Sequence, residues 1–199
     1  MKSKPKIAIY LLAITMLLTI LPTDAEAEIY EDTIRLHILA NSDSDEDQAL
    51  KIELRNRLLV EYGEYLSKSV TKSEAEESIE KILPEIERSV EGWINELGYA
   101  YSARAEIGIE WYETRDYEDF SLPCGYYTSL RIMIGEAKGR NWWCVMYPPL
   151  CMELATEDAP ADDGLIDYTK EEIKLIKSGK YNIKFKILED LSRVFAKNG

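Results

Sequence analysis

Histidine and cysteine are scarce in this sequence of 199 residues, which contains one histidine, His37, and three cysteines. A single histidine excludes most metal and catalytic-triad arrangements, and the chain has no His-Glu-x-x-His, Gly-x-Ser-x-Gly or Asp-Thr/Ser-Gly motif. We therefore expect no catalytic residue, no metal site and no cofactor. Two interpretations of His37 remain: a nucleophilic pair with a cysteine, or a partly buried strand residue whose ring is hydrogen-bonded to a neighbour.

Apolar runs long enough to span a membrane, which needs about 20 residues, are also missing. The apolar run over residues 7–21 follows three lysines and precedes Ala25-Glu26-Ala27, whose small residues suit a signal-peptidase site. We predict a signal peptide over residues 1–27, cleavage after Ala27 and export. An uncleaved membrane anchor is the alternative.

Basic residues are outnumbered, with 24 Lys and Arg against 37 Asp and Glu, which gives a net charge of −13. Such a chain repels nucleic acid and anionic lipid headgroups, so neither is expected as a direct partner. Contact with a membrane is expected only through the export signal or through a receptor.

The three cysteines leave their pairing open. Cys144 and Cys151 flank the Pro148-Pro149 corner and can form a disulfide outside the membrane. Cys124 is then either a buried thiol or an alternative partner for one of the others.

The stretch over residues 34–50 changes abruptly from a strand pattern to a helix pattern. Apolar residues alternate with polar ones from Leu36 to Ala40, as in a strand with one buried face. Ser44 is predicted to cap the helix, with the Asp47 carboxylate reaching back to the amide of Ser44.

The acids of this turn have two interpretations. Aspartates alternate over residues 43–47 as in a calcium-binding loop, but Gln48 replaces the required glycine and Leu54 the bidentate glutamate. Helix capping explains them better. The residues from Asn41 to Asp43 suit a tight strand-to-helix turn, and recognition of a partner is the alternative.

Apolar residues at steps of three and four predict helices over residues 50–66 and 75–97. Pro84 should kink the second helix or split it, and Gly98 should end it. A capping box beginning at Thr169 predicts a further short helix.

Alternating residues predict strands over residues 99–111 and 126–134, and the apolar run over 142–147 predicts a buried strand in a hairpin with the one before it. Residues 182–194 suit a last helix, although their start also suits a short strand. The interpretation is one α+β domain over residues 28–199, an antiparallel sheet of three or four strands packed with helices in the order β-α-α-β-β-β-α-α.

Trp142 and Trp143 are adjacent, so on a strand they must point to opposite faces. One is expected to join the core. The other either lies beneath a helix or is available to a partner.

Two blocks of the sequence resemble the stage II sporulation protein R family of endospore-forming bacteria. The first is Arg-Leu-His-Ile-Leu-Ala-Asn-Ser-Asp-Ser over residues 35–44, followed by Glu-Asp-Gln-Ala-Leu-Lys. The second is Gly-Arg-Asn-Trp-Trp-Cys-Val, from residue 139, and then Pro-Pro-Leu-Cys, ending at residue 151. The resemblance covers most of the chain after the first thirty residues or so.

This resemblance implies a signalling protein without catalytic activity. Members of the family are made in the forespore, exported into the space between the two membranes, and activate a membrane-embedded aspartic protease of the mother cell, which removes the pro-sequence from sporulation sigma factor E. An exported hydrolase and a secreted binding module are the alternatives. The residues that are candidates for contact with the partner are Arg35, His37, Asn41, Ser42, Asp43, Asp47, Asn141, Trp142 and Trp143.

Overall fold

The computed structural model describes residues 4–18, 23–66, 69, 71–117, 120–148, 168–177, 187–190 and 193. The chain forms two compact units. The smaller comprises residues 1–28, 111–125 and 170–199, and the larger comprises residues 29–110 and 126–169. The division into a signal peptide and one domain over residues 28–199 stays a prediction.

The structure confirms an α+β protein and, in outline, the predicted order of elements. Along the chain these elements are α1 (Lys4–Leu18), α2 (Asp24–Glu31), β1 (Ile34–Leu39), α3 (Asp45–Leu66), α4 (Lys72–Glu96), β2 (Ala103–Tyr112), β3 (Arg115–Asp116), β4 (Ser121–Leu122), β5 (Gly125–Ile134), β6 (Asn141–Tyr147) and α5 (Lys170–Lys177). Residues 187–190 are also helical. No helix in these described ranges is long and apolar enough to cross a membrane.

The main sheet has four strands in the order β2-β5-β1-β6. β1 pairs in parallel with β5 and antiparallel with β6. Gly135 donates to the carbonyl of Ser102, and Arg131 pairs with Glu106, so β2 and β5 run in opposite directions. The sheet is therefore mixed rather than purely antiparallel.

The predicted hairpin between β5 and β6 is wrong, because β1 lies between them. β1 was also expected to bury one face, yet its side chains are buried on both faces from Ile34 to Ile38. A strand with neighbours on both sides satisfies its backbone on both edges, and the polar side chains of its second face find partners within the fold. Local alternation does not reveal this central position.

The two long helices bury the stripes that the sequence predicts. The buried side chains of α3 include Leu50, Leu54, Leu58, Leu59 and Tyr62. Those of α4 are Ala75, Ile79, Ile86, Val90 and Ile94. The helix α4 runs unbroken through Pro84, which excludes the split alternative. Pro84 is exposed, so water can reach the carbonyl that its missing amide leaves without a partner.

In the smaller unit, α2 begins with a capping box that the sequence analysis missed. The amide of Thr23 donates to the Glu26 carboxylate over 2.7 Å, and the amide of Glu26 donates to the Thr23 hydroxyl over 3.3 Å. The predicted cleavage site after Ala27 falls within this helix. Its use as a cleavage site stays a prediction.

Cys124 is a buried thiol, which confirms one of the two interpretations. Burial raises the pKa of this thiol to about 11. Cys151 lies outside the described residues, so its disulfide with Cys144 stays a prediction.

Gly98 ends α4 as predicted, with a positive φ of 85°. The amide of Tyr99 donates to the carbonyl of Ile94, and the amide of Gly98 donates to that of Asn95, each over 3.0 Å. These two bonds form a Schellman motif, whose left-handed residue favours glycine.

Two glycine variants test this helix end. Gly98→Ala should destabilise the protein by about 1 to 2 kcal/mol, because a Cβ is strained at a left-handed residue. Gly92→Ala is the matched control inside α4, where an added Cβ meets nothing within 4 Å. It should stabilise the protein by about 0.5 to 1 kcal/mol. Urea unfolding measures both, and shifts of the same sign would contradict the assignment.

Candidate functional site

Two turns meet at one end of the sheet. Because β1 and β5 are parallel and end at Leu39 and Ile134, the chain leaves both strands on the same side. The turn after β1 leads into α3, and the turn after β5 leads into β6. We call residues 41–48, Lys51 and residues 135–141 together the two-turn cluster.

Asp47 is the centre of the first turn and is only 3% exposed. Its carboxylate accepts a hydrogen bond from the Asn41 amide group over 2.8 Å and one from the Ser42 hydroxyl over 2.6 Å. Ser44 caps α3 as predicted, since its hydroxyl accepts from the amide of Asp47 over 3.2 Å.

The other half of the predicted capping box is wrong. The amide of Ser44 donates to the Ser42 hydroxyl over 3.2 Å and not to Asp47. The Asp47 carboxylate is instead turned inward to the donors on Asn41 and Ser42, because a buried carboxylate needs several hydrogen bonds to offset its loss of water.

These hydrogen bonds also set the acidity of Asp47. Burial alone would raise the pKa of Asp47, but hydrogen bonds from the side chains of Ser42, Asn41 and Tyr101 and from the main chain of Ser42 outweigh it. The pKa of Asp47 is therefore below its ordinary value of 3.8, and the group is ionised at neutral pH.

Asn41 connects the first turn to the second. Its side-chain oxygen accepts from the amide of Glu136 over 2.9 Å, and its main-chain carbonyl accepts from the amide of Lys138 over 3.2 Å. The amide of Gly139 donates to the carbonyl of Ala40 over 2.9 Å. The second turn is thus held mainly through its backbone.

Two glycines make this close approach possible. A Cβ on Gly135, whose φ is 56°, would collide with the side chain of Asn41. A Cβ on Gly139 would collide with the carbonyl of Ser42, which is backbone and cannot move aside easily. The sequence shows two glycines around a turn, but it does not show what the turn packs against.

Lys51 and Gln48 complete the cluster from α3, and the sequence analysis assigned a role to neither. Lys51 is 4% exposed and donates to the side chain of Gln48 over 2.7 Å and to the carbonyl of Arg140 over 2.8 Å. Gln48 donates to the carbonyl of Ser42 over 2.9 Å. Burial, reinforced by the charge of Arg140, lowers the pKa of Lys51. The sequence signal that could have indicated a role for Lys51 is its position beside the apolar stripe of α3.

Several side chains of the cluster are exposed, and we call three of them, Asp43, Arg140 and Asn141, the rim. The Asp43 carboxylate accepts from the main-chain amide of Arg140 over 2.6 Å and lies 3.6 Å from its guanidinium. The side chains of Asp43 and Arg140 are 65% and 67% exposed. The rim therefore presents charge of both signs and an amide.

Arg35 and His37 lie on the opposite face of β1 from the apolar core residues Leu36 and Ile38. Arg35 is fully buried, with its guanidinium 5.1 Å from the centre of the Tyr127 ring. The Nδ1 atom of His37 is 2.9 Å from the Glu110 carboxylate. This confirms His37 as a largely buried strand residue with a hydrogen-bonded ring. Arg35, like Asp47, is buried within the fold and presents no surface for contact with a partner.

The adjacent tryptophans point to opposite faces, as predicted. Trp142 is in register with Ile38 and Trp143 with His37. The Arg55 guanidinium of α3 lies 5.0 Å from the Trp142 ring, whereas the Trp143 ring lies 5.5 Å from the His37 ring. Both tryptophans are half-buried.

Comparison with known proteins identifies the chain's relatives. A family model described as stage II sporulation protein R matches residues 30–157. The chain belongs to this family. A protein named stage II sporulation protein R, from Bacillus subtilis (strain 168), is 36% identical over 123 residues, which is 62% of this chain and 55% of that protein. No solved structure matches the chain.

The residues matched to the family include both turns of the two-turn cluster. Of the predicted contact residues, the structure brings Asn41, Ser42, Asp43, Asp47 and Asn141 to this end of the sheet. The described residues contain no group of three or more His, Cys, Asp or Glu side chains arranged to hold a metal ion.

The lowered pKa of Asp47 gives a pH-dependent prediction. Asp47→Asn should lower the free energy of unfolding at pH 7 by about 1 to 3 kcal/mol, because the charge-assisted hydrogen bonds are lost. Since the folded-state pKa lies below 3.8, the difference from wild type is fully present above that value and shrinks as the pH falls through the folded-state pKa. Urea unfolding at several pH values measures it.

The matched control is Asp45→Asn, in the same first turn but exposed. It should change stability by no more than about 0.5 kcal/mol. Equal effects of the two substitutions, or a difference that does not depend on pH, would contradict the role given to Asp47.

Proposed function

We propose that this chain is an exported signal of endospore formation that activates a membrane-embedded aspartic protease, and thereby the processing of pro-sigma-E. In this proposal the chain leaves the forespore through its N-terminal export signal and acts in the space between the two membranes. It carries out no chemical step of its own. The protease is its receptor.

The observation that carries the proposal is that both sequence blocks typical of the stage II sporulation protein R family meet in one hydrogen-bonded cluster. A cluster built from two distant parts of the chain presents its rim in one fixed geometry, as a recognition surface requires. The basic and apolar pattern of residues 1–27 supports export.

The rim of Asp43, Arg140 and Asn141 is the surface that we assign to the receptor. Arginine is among the residue types that most often dominate binding energy at interfaces. The main-chain amide and carbonyl of Arg140 are already hydrogen-bonded to Asp43 and Lys51. These bonds fix the base of the Arg140 side chain, while its guanidinium is exposed. The half-buried Trp142 adjoins this rim in sequence.

Activation then follows from differential binding. A ligand shifts a receptor toward its active state only as far as it binds that state more tightly than the inactive one. A folded signal can do this by bridging two receptor subunits, so that the active pair is favoured without any catalytic group on the signal.

A reconstitution tests the signalling role. This chain, the membrane protease and the sigma-factor precursor are co-expressed in non-sporulating cells, and cleavage of the precursor is followed by immunoblotting. Cleavage should require both the chain and its residues 1–27. If the chain is exported and folded and the precursor remains intact, the signalling proposal is wrong, and the exported hydrolase or binding module must be reconsidered.

A side-chain variant tests the rim separately. Arg140→Ala keeps both main-chain hydrogen bonds and should lower cleavage at least about tenfold, which corresponds to about 1.4 kcal/mol of binding. Lys81→Ala, which truncates an exposed lysine of α4, is the matched control and should cleave as wild type. Equal cleavage by both variants would exclude the Arg140 side chain from the contact.

A further inference from the structure

The outer edge of β2 is protected over only part of its length. β2 is the terminal strand of the four-stranded sheet. The amide of Ala103 donates to the Glu91 carboxylate over 3.1 Å, and that of Ala105 donates to the Glu87 carboxylate over 3.0 Å. Alternate residues of β2 from Ala103 onward therefore direct their backbone groups away from β5.

The spacing of the two glutamates matches the strand. Residues four apart on a helix are about 6 Å apart along its axis, and alternate residues of a strand are about 6.6 Å apart. Glu91 and Glu87 thus cover two successive outward amides, as an edge strand requires to avoid unwanted pairing. The next position on α4 in this series is Leu83, which cannot accept a hydrogen bond.

The protection therefore ends at Ala105, and the next outward residues, Ile107 and Ile109, are not covered by a glutamate of α4. Within the part of the chain that the structure describes, no residue accepts a hydrogen bond from the outward amides of Ile107 and Ile109. The Ile109 side chain is 70% exposed. A Cβ placed on Gly108 would meet nothing within 4 Å, so the strand between them is also uncrowded.

Charge argues against a second copy of this chain as the occupant of this edge. Antiparallel pairing of Ile107 with Ile109 of another copy would place Glu106 directly opposite Glu110, and like charges in that position are destabilising. A partner strand with basic side chains on the face of Glu106 and Glu110 avoids this repulsion. Glu110 is hydrogen-bonded to His37 and its side chain is 21% exposed. Glu106 pairs with Arg131 over 2.7 Å but is 50% exposed, so it is the acid with room for a second cation.

We propose that the outer edge of β2 at Ile107–Ile109 accepts an extended strand of a partner protein in which Val or Ile residues alternate with Lys or Arg. The strand's apolar side chains lie beside Ile107 and Ile109, and its basic side chains lie on the face of Glu106 and Glu110. Its backbone completes the hydrogen bonds that β2 offers on this side. This inference does not depend on the protease being the partner.

Amide hydrogen exchange on the purified full chain tests the proposal. The probe is an N-acetylated peptide of eight residues in which valine and lysine alternate. The peptide should slow exchange at Ile107 and Ile109 by at least about tenfold, because both amides become hydrogen-bonded. A peptide of the same composition, with four valines followed by four lysines, carries the same charge and should leave both amides unchanged.

Variants at position 109 separate strand addition from charge attraction. Ile109→Pro removes the outward amide, which an edge strand tolerates, and should abolish the protection of Ile107. Ile109→Lys keeps the amide but repels the basic peptide and should do the same, so the test does not depend on one variant folding. Ile109→Thr, the matched control, should retain most of the protection.

Four results would overturn the proposal. Equal protection by the block peptide would show charge attraction without strand pairing. Protection in all three variants, or none in the wild type, would exclude this edge as the site. Protection that rises with protein concentration in the absence of peptide, together with dimers in sedimentation, would make a second copy the occupant.

Discussion

The buried carboxylate of Asp47 is the constraint on which this end of the molecule depends. A charge removed from water must be hydrogen-bonded, and the side chains that supply the bonds are those of Asn41, Ser42 and Tyr101. Asn41 and Ser42 reach the carboxylate only if the turn after β1 has its observed shape. The start of α3 and the end of β1 are fixed together in this way.

Asn41 extends this constraint to a second part of the chain. With its amide group held by Asp47, its side-chain oxygen faces the amide of Glu136 in the turn between β5 and β6. That turn passes the end of β1 and delivers β6 to its far side, which is why two strands adjacent in sequence are not adjacent in the sheet. The cluster is thus part of the topology as well as a surface.

Much of the fold follows from local sequence patterns, and the predictions that were wrong have a common cause. The buried faces of α3 and α4, the cap at Ser44 and the left-handed Gly98 are short-range features. The parallel pairing of β1 with β5 joins residues as distant as Ile34 and Thr128, and periodicity carries no information about such pairs.

The sequence located both blocks of the site. It could not show that they touch, since most of the contacts use main-chain amides, which every residue other than proline has.

The most direct test of this account is amide hydrogen exchange in the 135–140 turn of Asp47→Asn, with Asp45→Asn as the reference. If Asp47 holds Asn41 in place, the amides of Glu136, Lys138 and Gly139 should exchange faster in Asp47→Asn, although they donate to Asn41 and Ala40 and not to residue 47. The amides at the centre of β5 should change less. Unaltered exchange in this turn would show that Asn41 is held without Asp47 and would contradict the account.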